Sequence, residues 1–134
     1  MKTNPNIKDF FEGYSKKLQE VLQESDWSPI EQLANDMQKC WNEGRHIFLC
    51  GNGGSAGNAI HLANDFIYGI AKKTGGGIKA ISLSDNSAVI TCLANDIGYD
   101  YIYSEQLAVQ AEKGDLLIVL SGSGNSLNIL HAVE

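Results

Sequence analysis

At the start of the chain, Ile7, Phe10, Phe11, Tyr14, Leu18, Val21 and Leu22 recur at helical spacing, which predicts one amphipathic helix with a broad apolar stripe. Ser28-Pro29-Ile30-Glu31 follows. Serine at the N-cap, proline at the first helical position and glutamate at the third form a capping box. Ile30, Leu33, Ala34, Met37, Cys40 and Trp41 give that second helix its apolar face, and Gly44 suits the left-handed position that ends it. The period then changes. Ile47-Phe48-Leu49-Cys50 is a continuous apolar run, as expected of a strand buried on both faces of a parallel sheet. A helix is expected over 55–68, a break at Gly75-Gly76-Gly77, a strand over 78–83 and a helix over 87–94. The segment 99–112 reads as helix on Ile102, Leu107 and Ala111. Leu116 to Leu120 is the clearest strand, and a last helix begins at Leu127. This βαβαβα order implies an α/β fold, a doubly wound parallel sheet with right-handed crossovers. The N-terminal helical pair lies outside the repeat and either covers the sheet or meets a second subunit.

The chain has 134 residues, 43% apolar and 19% charged, the balance of one folded domain. The expected division is a helical pair over 6–44 and a βα core over 45–134. No apolar run approaches the roughly 18 residues of a membrane span, and the N-terminus carries no secretory signal, so neither a membrane nor an export role is expected. Net charge is −6 and the basic residues are scattered, which argues against a nucleic-acid partner. Cys40, Cys50 and Cys92 are odd in number and show no zinc-motif spacing, so disulfides are not expected and the cytoplasm is the natural compartment. Cys50, inside an apolar strand, reads as core; His46 and His131 are given no functional role. Three strands are few for this architecture, and the last helix has barely two turns with no C-cap signal. The chain therefore reads as C-terminally truncated.

Two polar loops stand at strand ends. Gly51-Asn52-Gly53-Gly54-Ser55 follows the first strand, and Ser121-Gly122-Ser123-Gly124-Asn125-Ser126 follows the third. In open α/β sheets, ligands bind beyond the carboxyl ends of the strands. Glycines admit close backbone approach, helix-start N–H groups attract anions, and serine hydroxyls add donors without charge. One such loop is no more than a tight turn as often as it is a site; two favour a bound phosphate. No G-x-x-x-x-G-K-[ST] motif is present. Gly51-x-Gly53-x-x-Ala56 matches a relaxed dinucleotide fingerprint, a minor alternative that leaves the second loop unexplained.

The helix after the first loop carries Asn58, His61, Asp65 and Tyr68 along one polar stripe. His61 and Asp65, one turn apart, can share a metal or cooperate in proton transfer, although such a pair is more often plain surface. Asn95-Asp96 reads by itself as a helix-ending turn.

In combination and order, Gly51-Asn52-Gly53-Gly54-Ser55 with His61, then Asn95-Asp96-x-Gly98, then Ser121-Gly122-Ser123-Gly124-Asn125-Ser126 resemble the motifs of the sugar isomerase (SIS) domain family, and specifically its phosphoheptose isomerases. The resemblance implies a flavodoxin-like sheet, a homo-oligomer (dimer or tetramer) with shared sites, and conversion of sedoheptulose 7-phosphate to a manno-heptose 7-phosphate through an enediol, a step toward lipopolysaccharide heptose. It implies phosphosugar contacts from Asn52, Gly53, Gly54, Ser55, Asn95, Asp96, Ser121, Gly122, Ser123 and Ser126. It further implies acid–base roles for Asp65 and His61, and a Zn²⁺ ion held by His61 and Asp65 with its remaining ligands beyond Glu134. No nucleotide cofactor is implied. The family carries glutamate where this chain has Asp65, and its second acid/base histidine lies in a C-terminal third that this chain lacks. The alternative within the same family is a non-catalytic, phosphosugar-binding regulatory module.

Overall fold

The computed structural model describes residues 6–134. The chain forms two compact units, 1–34 and 35–134, so the division falls inside the second helix rather than at the end of the helical pair.

In the first unit, α1 spans Ile7–Glu24 and is capped by Asn6, whose side chain accepts from the Lys8 amide. No residue of α1 is buried; its stripe, from Ile7 to Leu22, stays exposed. The second helix, α2, spans Ser28–Asn42. Its start differs from the expected capping box. The Glu31 amide donates to the Trp27 carbonyl, which makes Ser28 the first helical residue. The Asp26 carboxylate accepts from both the amide and the hydroxyl of Ser28, each at 2.9 Å. The Glu31 amide is already satisfied by the Trp27 carbonyl, so the serine hydroxyl is left to donate to Asp26. These bonds hold the Asp26 carboxyl below its usual value.

The second unit contains the end of α2 and the βα core. Gly44 (φ +65°) ends α2, as expected. Then come β1 (His46–Gly51), α3 (Gly54–Asn64), a π turn (Asp65–Gly69), α4 (Ile70–Thr74), β2 (Lys79–Ser82), α5 (Ser87–Asp96), a 3₁₀ turn (Tyr99–Tyr101), α6 (Ser104–Gln110), β3 (Leu116–Leu120) and α7 (Leu127–Val133). The three strands are parallel in the order β2-β1-β3. Central β1 is buried from Ile47 onward. Its side chains alternate between two cores: Ile47 and Leu49 pack with Cys40, Ala59, Ala63, Ile78 and Ala80. Phe48 and Cys50 pack on the other face with Leu83, Ile102, Tyr103, Ile129 and Ala132. Thus α3 covers one face of the sheet, and α7 with the segment around α6 covers the other. Edge strand β3 is half-buried along its whole length.

Two expected helices are not single helices. The first continues past Tyr68, but through a π turn in which the Ile70 amide reaches back to the Asp65 carbonyl. The Phe66 carbonyl accepts from the Ile78 amide at 2.9 Å, which ties the turn to the start of β2. The expected 99–112 helix is broken between Tyr101 and Ser104, where Ile102 and Tyr103 turn into the second core.

At the amino end of the sheet, Asp115 accepts from the His46 and Glu112 amides, both at 2.8 Å. Burial alone would raise its carboxyl pKa. The two amide bonds, with the charges of His46 and Arg45, outweigh burial and hold it below the usual value. Among the described residues no helix is long and apolar enough to cross a membrane.

Candidate functional site

Strand β1 feeds α3 onto one face, and adjacent β3 feeds α7 onto the other. The carboxyl ends of these neighbours therefore diverge, and the crevice between them is where open α/β sheets take their ligands. Both polar loops open there. Gly51 is what lets them meet: a Cβ on it would lie 2.8 Å from the Leu120 carbonyl oxygen and 2.8 Å from the Ser55 backbone. Gly53 (φ +56°) turns the chain into α3 and has no side chain to cover the first amides of that helix. Those amides carry partial positive charge. Gly53 and Gly54 are exposed and Ser55 is half-buried.

The second loop is braced by its own serines. The Ser121 hydroxyl accepts from the Gly124 amide at 3.0 Å and the Ser123 hydroxyl from the Asn125 amide at 3.3 Å. Gly122 and Ser123 are exposed, Ser121 and Ser126 half-buried, and Ser126 stands at the N-cap of α7.

A polar network beneath the loops joins them. Asn52 and Asn128 exchange two amide hydrogen bonds, 2.9 and 2.8 Å. The Tyr99 hydroxyl donates to Asn52 Oδ1 at 3.1 Å. The Tyr103 hydroxyl donates to the Gly51 carbonyl and also lies 3.2 Å from Ser84 Oγ. Burial raises the Tyr103 pKa, so this hydroxyl stays a donor. Asn128, Tyr99, Tyr103 and Ser84 were absent from the sequence-derived site. No local signal marks them: that Asn128 is buried and so needs a partner shows only in the fold.

The remaining expected residues lie around this centre rather than in it. Asn95 and Asp96 end α5, exposed, and bond to each other (Asn95 Nδ2 to Asp96 Oδ1, 2.8 Å). Tyr99, three residues beyond Asp96, is the residue of this stretch that bonds Asn52. Cys92 donates to Asp96 Oδ2 at 3.5 Å, and that bond and charge raise its thiol pKa. Burial pushes the Cys50 thiol up to about 11; it belongs to the core, as expected. His131 bonds the Asp100 carbonyl (3.1 Å) and stacks on Tyr101, which fixes the 3₁₀ turn against α7.

His61 and Asp65 form an exposed pair, Nε2 to Oδ2 3.4 Å. His61 lies roughly two helical turns beyond Ser55, and Asp65 one turn further. Asp65 opens the π turn and borders a cleft of about 470 Å³ with Phe66, Gly69, Lys73 and Thr74. Tyr68 follows inside the π turn, so it leaves the helical stripe that the sequence suggested. As zinc donors, His61 and Asp65 are of suitable type, but a zinc site takes three or four protein ligands. Among the described residues no cluster of three such groups exists. The pair alone does not constitute a zinc site.

Residues 9–134 match the SIS domain family. The chain belongs to that family. This SIS domain is 41% identical over 133 residues to a phosphoheptose isomerase of Shewanella denitrificans, covering 96% of this chain and 64% of the relative. It is 38% identical over 114 residues to the phosphoheptose isomerase of Fusobacterium nucleatum, covering 85% and 58%. The solved phosphoheptose isomerase of Francisella tularensis superposes with a TM-score of 0.84 at 31% identity, over 95% of this chain and 65% of that one. The Neisseria gonorrhoeae enzyme superposes at 0.81 and 30% identity, over 96% and 67%. The SIS domain thus spans somewhat less than two thirds of the curated relatives' length. The doubly wound α/β reading holds. The order β2-β1-β3 also differs from the 3-2-1 order of a dinucleotide-binding half, so that alternative is set aside.

Proposed function

We propose that this SIS domain binds a phosphorylated sugar in the β1/β3 crevice and serves in the isomerisation of sedoheptulose 7-phosphate to a manno-heptose 7-phosphate. The observation that carries this reading is the meeting of two glycine- and serine-rich loops, joined through Asn52 and Asn128, at the β1/β3 point where the strand order switches sides. Asn52, Gly53, Gly54 and Ser55 from one side, and Ser121, Gly122, Ser123 and Ser126 from the other, would enclose the phosphate. Asn95 and Asp96 would contact the sugar.

The chemistry then falls at the far end of the substrate. In a 7-phosphate the reacting carbons C1 and C2 lie at the opposite end of the chain from the phosphate. The proton-transfer groups must therefore stand away from the loops, as His61 and Asp65 do. A carboxylate at Asp65 would take a proton from C1 while an acid protonates the C2 oxygen. Returning a proton to C2 and releasing one from the C1 oxygen completes the aldose. Aspartate is one methylene shorter than the glutamate expected of the family, and a misplacement of about 1 Å can cost on the order of 100-fold in rate. A Zn²⁺ ion on His61 and Asp65 would need further ligands from outside this pair, and when bound would polarise the sugar carbonyl. An oligomer, dimer or tetramer, fits the exposed stripe of α1, and the three free cysteines fit a cytoplasmic setting.

Calorimetric titration with sedoheptulose 7-phosphate tests the site. Ser55→Ala combined with Ser123→Ala should weaken binding by about tenfold or more, since hydrogen bonds to a charged group contribute about 1.5–3 kcal/mol each. Unchanged affinity would refute the placement. Binding without hydrogen exchange at C1 or C2 in deuterated water would shift the reading to a regulatory module.

A further inference from the structure

We propose that Asn128 is a positioning residue that sets the spacing of the two phosphate loops through its reciprocal amide pair with Asn52, a proposal that rests on the phosphosugar reading of the crevice. Asn128 is 1% exposed, so it does not reach a ligand itself. Its Nδ2 donates to Asn52 Oδ1 at 2.8 Å, and its Oδ1 accepts from Asn52 Nδ2 at 2.9 Å. Asn52 directly follows β1 and Asn128 lies on the first turn of α7, so this closed pair spans both loops. Tyr99 donates to the same Asn52 oxygen at 3.1 Å and brings in the segment that carries Asn95 and Asp96. Three pieces of backbone that would hold the ligand therefore converge on one amide oxygen. Each loop keeps its own internal bonds without the pair, including the Gly124 amide to Ser121 Oγ and the Ser55 amide to the Asn52 carbonyl. What the pair adds is their separation.

The chemistry of the amide supplies a test. A side-chain amide donates and accepts in one plane. A protonated carboxyl of the same shape does so too, whereas a carboxylate only accepts. Asn128→Asp therefore makes a pair that is complete when protonated and broken when ionised. Burial raises an aspartate's pKa, so the change falls above the usual value of about 3.9. The titratable groups near the pair are the Tyr99 and Tyr103 hydroxyls, Cys50 on β1 and His131 on α7. All four are present in the wild type, so each variant is read relative to it at the same pH.

Affinity for sedoheptulose 7-phosphate, and for sulfate as an anion of constant charge, is measured at about pH 5 and about pH 8 for the wild type, Asn128→Asp and Asn128→Leu. Asn128→Asp should lose about tenfold or more at the higher pH and recover most of it at the lower. Asn128→Leu, uncharged and unable to pair, should lose binding at both. If Asn128→Leu binds like the wild type, any loss in the aspartate variant is charge repulsion alone and the proposal is overturned. Urea unfolding gives a ligand-free check. The Asn128→Asp midpoint should approach that of the wild type as pH falls, because a raised folded pKa gives stability that is lost as pH rises. A gap that stays constant with pH shows that the reciprocal pair is absent and overturns the proposal. A wild type that binds neither probe refutes the phosphosugar reading and the positioning role with it, while the unfolding profile still decides whether the pair exists.

Discussion

Gly51→Ala is expected to destabilise the chain by about 3 kcal/mol and to remove sugar-phosphate binding. The added methyl would stand 2.8 Å from three atoms at once, two of them backbone: the Leu120 carbonyl oxygen and the Ser55 carbonyl carbon. These belong to β3 and α3, which are held by the ladder with β1 and by the first core. Neither can retreat cheaply, and overpacking in such a place costs about 1–3 kcal/mol or more. Any retreat also spreads the crevice, because Gly51 is the residue at which the two loops approach. Gly53→Ala is the informative control. Nothing lies within 4 Å of the added atom, so its cost, about 1–3 kcal/mol, is the local strain of a side chain at φ +56°, ψ −120° alone. Urea denaturation of both variants, with titration of each, checks the ranking. Equal and small losses would mean that the loops have room to spare.

The second large effect is expected at Gly77. A Cβ there would overlap the carbonyl oxygen of Ile67 in the π turn, beside the bond from the Ile78 amide to the Phe66 carbonyl. Gly77→Ala must push the turn off β2 and lose that bond, for about 2–3 kcal/mol. Because Asp65 opens the turn, its carboxylate moves as well. Hydrogen exchange should show faster exchange of the Ile78 and Ile70 amides in the variant, and wild-type protection there would count against this account. Gly76→Ala is the useful neighbour, since its added methyl meets nothing within 4 Å, whereas Gly75 has φ +84° and would be strained by alanine despite open space.

The sequence made central β1 legible, because a strand buried on both faces must be apolar throughout, and Leu116 to Leu120, though only half-buried, begins and ends where expected. It made the two loops legible for a related reason. A site built from backbone amides needs glycine and serine, and these are conspicuous. Features set by distant partners were not legible. The Ser28 box did not form, because the helix begins at Ser28 itself, with the Glu31 amide on the Trp27 carbonyl and the serine hydroxyl on Asp26. The π turn lies inside an ordinary helical sequence pattern, and its hydrogen bonding is altered in contact with the segment leading to β2. Tyr103 and Asn128 looked like ordinary helix residues. Their roles depend on groups 52 and 76 residues away, and no local periodicity reports such a partner. His61 and Asp65 were found by spacing, yet spacing could not show that they stand apart from the two polar loops.

The parallel order β2-β1-β3 also bears on how the chain folds. The contacts that join the walls of the crevice are distant in sequence: Gly51 meets Tyr103 across 52 residues, and Asn52 meets Asn128 across 76. Pairings of this kind form slowly, because a long loop must close before they contribute. During synthesis the first loop emerges long before its counterpart, and β1 has one open flank until Leu116 to Leu120 arrives to fill it. The crevice is therefore assembled late in folding, after both helical layers have something to pack on. A sugar phosphate added during refolding should leave early collapse unchanged and act only on the final phase.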